Sequence, residues 1–286
     1  MIRAIMLGRL GNNLFQYAFG RTLAEKHGCG LVLDATLFND GDWKQVSNLR
    51  RLPLKAKITR SFHLASRTVR KLSGRHPFEF FGRPIIRENG ADHRFDPSML
   101  EAPSNSLLAG WFQSPRYFDF IEAELRKELR LDLVVDPNAM VEDALNSCES
   151  VAVHVRRTDF LVQPVFQVCG ESYYQRAMMM MRERLDRPRF FIFSDDPEWC
   201  RAHFTGADEE VVELPGSSAD PLIDLHFMSL AKHHIIADSS YSWWGAWLGL
   251  KDRQMVLTPD RWFASEIHAP IEERLLPGWE AVATQF

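Results

Sequence analysis

The feature that most constrains this 286-residue chain is a recurring triplet of a short apolar run, a turn and a helical pattern. In the second half the apolar runs are 150–155 (SVAVHV), 189–193 (RFFIF), 210–214 (EVVEL), 234–237 (HIIA) and 255–258 (MVLT). Helical patterns fall between them at 171–185, 197–204, 220–232 and 240–250, the third opening on Asp220 with Pro221 at its first position. Short buried strands alternating with helices predict a parallel α/β sheet. In the first half, residues 2–7 read as a strand and 12–27 as a helix. Asn12 or Asn13 can cap that helix, and Phe15, Phe19 and Leu23 share one of its faces. Gly28 ends it, and 31–34 (LVLD) is the next strand. No internal repeat or low-complexity tract interrupts the series.

At roughly 150 residues per domain the length suits about two domains. A polar segment at 132–150 containing Pro137 fits the join, giving an N-terminal α/β domain over 1–140 and a C-terminal one over 141–286, facing each other across a cleft. With 45% hydrophobic and 25% charged residues the composition is that of an ordinary soluble protein. A net charge of -4 gives no reason to expect a nucleic-acid partner. No apolar run reaches the roughly 18 residues of a membrane span, and the N-terminus turns polar too early for a signal peptide. Cysteines at 29, 148, 169 and 200, without a C-x-x-C pair, read as free thiols of a reducing, cytoplasmic compartment.

Charge is uneven along the chain. Residues 50–75 hold nine Lys or Arg and no Asp or Glu. They read either as a solvated helix–loop face or as a surface for an anionic membrane, which would put the protein peripherally on the inner face of that membrane, or for an anionic acceptor.

Four strings could carry chemistry. Gly8-Arg9-Leu10-Gly11-Asn12 lies between a strand and a helix, where glycines admit a ligand close to the backbone and a helix N-terminus favours an anion. It lacks the third glycine of a dinucleotide fingerprint, since Asn13 stands there, so a tight structural turn is the competing reading. His154-Val155-Arg156-Arg157-Thr158-Asp159 runs off a strand's carboxyl end, where ligands of open α/β sheets sit. Alternation sends His154 and Arg156 to one face and Arg157 to the other. The fork of Arg156 suits a pyrophosphate, while a surface ion-pair cluster is the alternative. Ser194-Asp195-Asp196-Pro197 reads first as a helix cap. Asp224-Leu225-His226 lies in a helix, and Asp238-Ser239-Ser240-Tyr241-Ser242-Trp243-Trp244-Gly245 follows a strand. Its hydroxyls and helix-start N–H groups could meet a phosphate, and its tryptophans read as core. Asp40-Gly41-Asp42 is a D-x-D, a spacing that can hold a divalent ion, in a string equally suited to a turn.

Taken together, GRLGNNLFQYAFGRTLA, GWFQSPRYF (110–118), VAVHVRRTDF (151–160), FFIFSDDPEWC (190–200), DLHFMSLAKHHIIADSSYSWWGAWL (224–248) and TPDRWF (258–263) resemble glycosyltransferase family 11, the α-1,2-fucosyltransferases, in bacterial form. The resemblance covers nearly the whole chain and is weakest at about 40–105. It implies a GT-B fold of two Rossmann-like domains. It also implies an inverting, metal-independent transfer of L-fucose from GDP-fucose to the 2-hydroxyl of a galactose-terminated oligosaccharide acceptor, with no cofactor. By this resemblance Arg156 holds the donor pyrophosphate, His154 and Asp224 face the guanosine, and Ser239 and Ser240 contact phosphate. Asn12, with Gly11 of the same turn, lies near the β-phosphate and the acceptor.

Two positions depart from the pattern. Asp238 stands where relatives often have Asn or Thr. Pro164 stands where the related α-1,6-fucosyltransferases have a glutamate base, which leaves Asp159 as the reserve base or, alternatively, as a support for the arginines. Fixed cationic donors can stabilise the leaving β-phosphate without a metal. Other readings are a transferase using GDP-L-galactose or GDP-mannose, a nicotinamide-dependent oxidoreductase, and a non-catalytic GDP-sugar-binding protein.

Overall fold

The computed structural model describes residues 1–38, 43, 46–60, 83–88, 93–217, 220–249, 251–264 and 270–284. The chain forms two compact units, Met1–Arg130 and Leu131–Phe286. The division falls ten residues before the expected 140/141 join. Packing explains the difference: the helix Ala139–Asn146 and the turn Leu131–Leu133 both pack on the helix Pro221–Leu230 of the second unit.

The first unit carries β1 (Ile2–Ile5), β2 (Leu31–Asp34), β3 (Lys57–Thr59), β4 (Ile85–Arg87) and β5 (Leu107–Ala109). They form one parallel sheet in the order β3-β2-β1-β5-β4. The helix Leu10–Lys26 crosses from β1 to β2, and Phe15, Phe19 and Leu23 are buried on it as expected. It begins two residues earlier than its pattern suggests. Arg9 occupies the cap position with no side-chain bond, so neither Asn12 nor Asn13 caps it. Gly28 follows it at φ +56°, a left-handed turn that glycine adopts without strain. Residues 57–59, inside the basic stretch read as a helix–loop face, are instead the edge strand β3; residues 61–75 of that stretch lie outside the described residues, as do Asp40 and Asp42.

The second unit carries β6 (Glu149–Val155), β7 (Pro188–Ser194), β8 (Glu209–Val211), β9 (His233–Ile235), β10 (Val256–Pro259) and β11 (Trp279–Val282). Its sheet is parallel throughout, in the order β11-β10-β9-β6-β7-β8. The helices Glu171–Arg184, Pro197–His203, Pro221–Leu230 and Ser240–Leu248 match the expected patterns to within two residues at each end. Val151, Val153, Tyr173, Met178, Phe190, Ile192 and Leu257 belong to one buried core, and Trp243, Trp244 and Trp247 are buried in full. Each unit is thus an α/β body around one parallel sheet, as a pair of Rossmann-like halves requires. Among the described residues, no helix is long and apolar enough to cross a membrane.

Candidate functional site

The second unit's sheet contains a place where the chain reverses its direction of winding. It lies between β6 and β9: the strands run outward from β6 through β7 to β8 on one side, and from β9 through β10 to β11 on the other. The carboxyl ends of β6 and β9 therefore lie side by side at the kind of place where open α/β sheets take ligands. Arg156 is the first residue after β6, and Asp238-Ser239-Ser240 follows β9 into the helix Ser240–Leu248.

Arg156 is braced on two sides. Its Nη1 meets Asp195 Oδ2 at 3.0 Å and its Nη2 donates to Asp159 Oδ1 at 2.5 Å. Asp195, at the end of neighbouring β7, also accepts the Arg157 amide at 2.9 Å and the Thr158 hydroxyl. Burial raises the Asp195 pKa, but Arg156, Thr158 and the Arg157 amide outweigh it and hold the carboxyl below its usual range. Asp196 does what capping requires, accepting Trp199 N at 3.2 Å at the start of the helix Pro197–His203. Arg157 turns onto that helix, donating to Asp196 Oδ2 at 3.1 Å and lying 3.8 Å over the Trp199 ring. The two adjacent arginines thus have separate surroundings.

His154 is 5% exposed, with its ring 5.4 Å from that of Tyr241 and its Nδ1 without a partner among the described residues. Burial, then the Arg156 charge, pushes its pKa down to about 3, so the imidazole is neutral. Tyr241 donates its hydroxyl to Pro221 O at 2.6 Å and joins the starts of two helices. Asp224, one turn into the helix Pro221–Leu230, lies close enough for its charge to act on the Tyr241 phenol. Burial pushes the Asp224 pKa up to about 6, against a hydrogen bond from Ser217. His154, Arg156, Tyr241 and Asp224 are therefore neighbours.

Ser239 holds the cap position of the helix Ser240–Leu248 and makes no side-chain cap bond. The first-turn N–H groups of such a helix have no acceptor within it. Asp238 is 3% exposed, its Oδ2 has no partner among the described residues, and burial pushes its pKa up to about 8. A neutral carboxyl at this point leaves the positive character of the helix start intact for an anion.

In the first unit β1 and β5 lie side by side, and the chain winds the same way from β1 through β2 to β3 as from β4 to β5. Gly8 after β1 has φ +69°, and a Cβ there would fall 2.4 Å from Asn12 Nδ2 and 2.9 Å from the Trp111 ring. The glycine that this turn requires is therefore Gly8; Gly11 is buried inside the first helical turn. Asn12 Oδ1 accepts Gln113 Nε2 at 2.7 Å, joining the loops after β1 and β5. Asn13 donates to Leu7 O at 2.9 Å, while Gln16 accepts Leu7 N at 3.0 Å and donates to Gly110 O at 3.1 Å. Glu88 accepts the Trp111 and Phe112 amides at 2.8 and 3.0 Å, fixing Phe112 at φ +52°. A bulky residue in that region is held there by its surroundings.

Sequence reading missed Asp195 as a brace, Tyr241, Gln113 and Glu88. Asp195 and Gln113 lie inside motifs already singled out, but their partners are distant in sequence and only the strand order brings them together. Among the described residues, no group of three or more His, Cys, Asp or Glu is placed to hold a metal ion.

Residues 89–283 match the family model described as Glycosyl transferase family 11. The chain is 28% identical to an alpha-1,2-colitosyltransferase of Escherichia coli over 288 residues, covering 93% of each. It is 34% identical to galactoside alpha-(1,2)-fucosyltransferase 1 of Ateles belzebuth over 140 residues, which is 46% of this chain and 38% of that one. Among solved structures it is similar to the fucosyltransferase NodZ from Bradyrhizobium, with TM-score 0.49 and 14% identity over 85% of this chain and 91% of that one.

Proposed function

Since the chain belongs to glycosyl transferase family 11, we propose that this glycosyltransferase moves L-fucose from GDP-fucose to the 2-hydroxyl of a galactose-terminated glycan, with inversion and without a metal. The observation that carries the reading is Arg156, braced by Asp195 and Asp159 at the winding reversal between β6 and β9, beside the helix start at Ser239 and Ser240. The guanine is assigned to Asp224 and His154. A carboxylate accepts from the two N–H donors on the guanine edge, and the Nδ1 of neutral His154, without a partner among the described residues, can accept one hydrogen bond more.

As the sugar–phosphate bond breaks, charge gathers on the β-phosphate. Arg156, the helix-start N–H groups and the serine hydroxyls are already in place to receive it, and need no reorganisation at that moment. Asp159 is occupied with Arg156, so its part here is to position the guanidinium. A strongly oxocarbenium-like transition state makes the sugar carbon electrophilic enough for an acceptor hydroxyl with only a weak base. The acceptor side is assigned to the first unit, where Asn12 and Gln113 present amides suited to neutral hydroxyls. The basic stretch 50–75 is assigned to an anionic membrane surface on its cytoplasmic side, an attraction that weakens as salt rises.

A second reading keeps the site and changes the sugar. The E. coli relative matching over 93% of both chains is named for colitose, which like fucose is a 6-deoxy sugar. The deciding experiment is transfer from a panel of GDP-sugars to a β-galactoside, with and without chelator. Transfer from GDP-fucose that survives chelation and forms an α-1,2 linkage supports the main reading. Transfer from GDP-colitose alone favours the second. Activity restored only by manganese or magnesium overturns the metal-free mechanism.

A further inference from the structure

The loops after β6 and β10 meet. Ala264 N donates to Val165 O at 2.9 Å, and the Phe166 and Phe263 rings are 5.8 Å apart. Because β9 lies between β6 and β10 in the sheet, two loops that touch in this way pass over the carboxyl end of β9, where Asp238-Ser239-Ser240 begins. Phe160 continues the aromatic run: its ring stacks on Phe166 at 4.8 Å and 22°, and the Arg156 guanidinium lies 5.5 Å from its centroid. The run thus extends from the group assigned to the diphosphate across the helix start assigned to phosphate. Leu161 and Val162, between the two stacked rings in sequence, are 49% and 77% exposed, an apolar rim on an otherwise polar edge.

On the GDP-sugar reading, this edge is what a sugar attached to the β-phosphate meets beside Arg156. We infer that Phe160, Phe166 and Phe263 form the wall that receives the C6 methyl group of a 6-deoxyhexose donor and disfavours a hexose carrying a 6-hydroxyl. The inference rests on the GDP-sugar reading above and adds the residues that choose among such sugars. A methyl group against ring faces exchanges water for apolar contact, whereas a hydroxyl brought to the same faces gives up a water partner and gains a weaker one. The wall does not separate fucose from colitose, since both carry the methyl group.

GDP-L-fucose and GDP-L-galactose differ only at C6 and provide the probe. With the full chain, kcat/KM for each is read from GDP release, and GDP affinity is measured separately by calorimetry. We expect the wild type to favour GDP-L-fucose by about tenfold or more, the usual scale for one small group in an apolar pocket. Phe166→Ala should draw that ratio toward one while Phe166→Leu, which stays apolar, largely keeps it. Affinity for GDP, which has no sugar, should be unchanged in both variants. A wild-type ratio near one, measured without any substitution, overturns the wall. So does a ratio unmoved in folded Phe166→Ala. Failure of the wild type to bind GDP overturns the underlying reading instead, so the two failures are distinguishable.

Discussion

The carboxyl edges of the two parallel sheets differ in topology and in chemistry. The second unit's sheet reverses its winding between β6 and β9, whereas in the first β1 and β5 are neighbours with no reversal between them. At the second unit's reversal stand Arg156, Asp195 and Asp159, a helix start, and two carboxyls, Asp224 and Asp238, whose pKa values burial raises. Where β1 and β5 lie side by side in the first unit, the amides of Asn12 and Gln113 join the loops that follow them, and Asn13 and Gln16 hold the loop after β1. Glu88, after the edge strand β4, holds backbone amides of the loop after β5. A guanidinium fork and helix-start N–H groups suit a diphosphate, whereas amides suit neutral hydroxyls. The same parallel architecture thus carries different side chains at its carboxyl edge in each unit, and on the proposed function these side chains set what each edge takes.

The strongest way to break the comparison is to alter the charge donor. Arg156→Lys keeps the charge and loses the fork, and kcat should fall about 10²–10³-fold, the usual loss for one preorganised donor to a developing charge. Arg157→Lys should leave kcat nearly intact and cost roughly 1 kcal/mol of stability through its contact with Trp199. Steady-state kinetics and thermal unfolding of the folded variants separate the two, and the opposite pattern would mean that the arginines are assigned the wrong way round.

Next in size is the brace. Asp195→Asn removes the charged partner that orients Arg156 and should lower kcat by about 10–100-fold, the scale of losing a hydrogen bond to a charged group. A positioning role predicts that kcat falls with KM little changed; a rise in KM alone would make Asp195 a ground-state binding group.

Asn12→Ala sharpens the comparison from the other side. Loss of a neutral hydrogen bond should reduce transfer to acceptor about 2–10-fold, leaving GDP affinity and donor hydrolysis as in the wild type. If GDP affinity drops instead, the amide edge belongs to the donor.

The smallest effect is a pH dependence. Asp224 has a pKa near 6, raised by burial, and on the proposed function it meets the guanine edge in its charged form. GDP affinity should therefore fall as pH drops through 6, roughly fourfold between pH 7 and pH 5.5. Asp224→Asn should be weaker at pH 7 and flat across this range in calorimetry; a wild type that is equally flat would remove Asp224 from the guanine.

How much of this was legible in the sequence follows from strand length and from distance along the chain. Strands β6 and β7 are long apolar runs and were readable within a residue or two. Strands β3, β4 and β5 have three residues each, too short to show a period, and β3 is embedded among lysines and arginines. The N-terminal helix was displaced by two residues because Asn12 and Asn13 resemble caps; their amides instead join and fix the loops above the first turn. Arg156, Asp224 and the serines lie in continuous strings and could be nominated from them as candidates. Their supports could not, since Asp195 reaches Arg156 only because β7 pairs with β6, and Tyr241 reaches His154 only because β9 does.

Amide hydrogen exchange with and without GDP tests the central contrast most directly, because one titration reports on both edges. The account predicts protection on GDP binding at residues 156–160 and 239–243 of the second unit, and little change at 8–13 and 110–113 of the first. Protection confined to the first unit's edge, with the loop after β6 and the start of the helix Ser240–Leu248 unchanged, would contradict it.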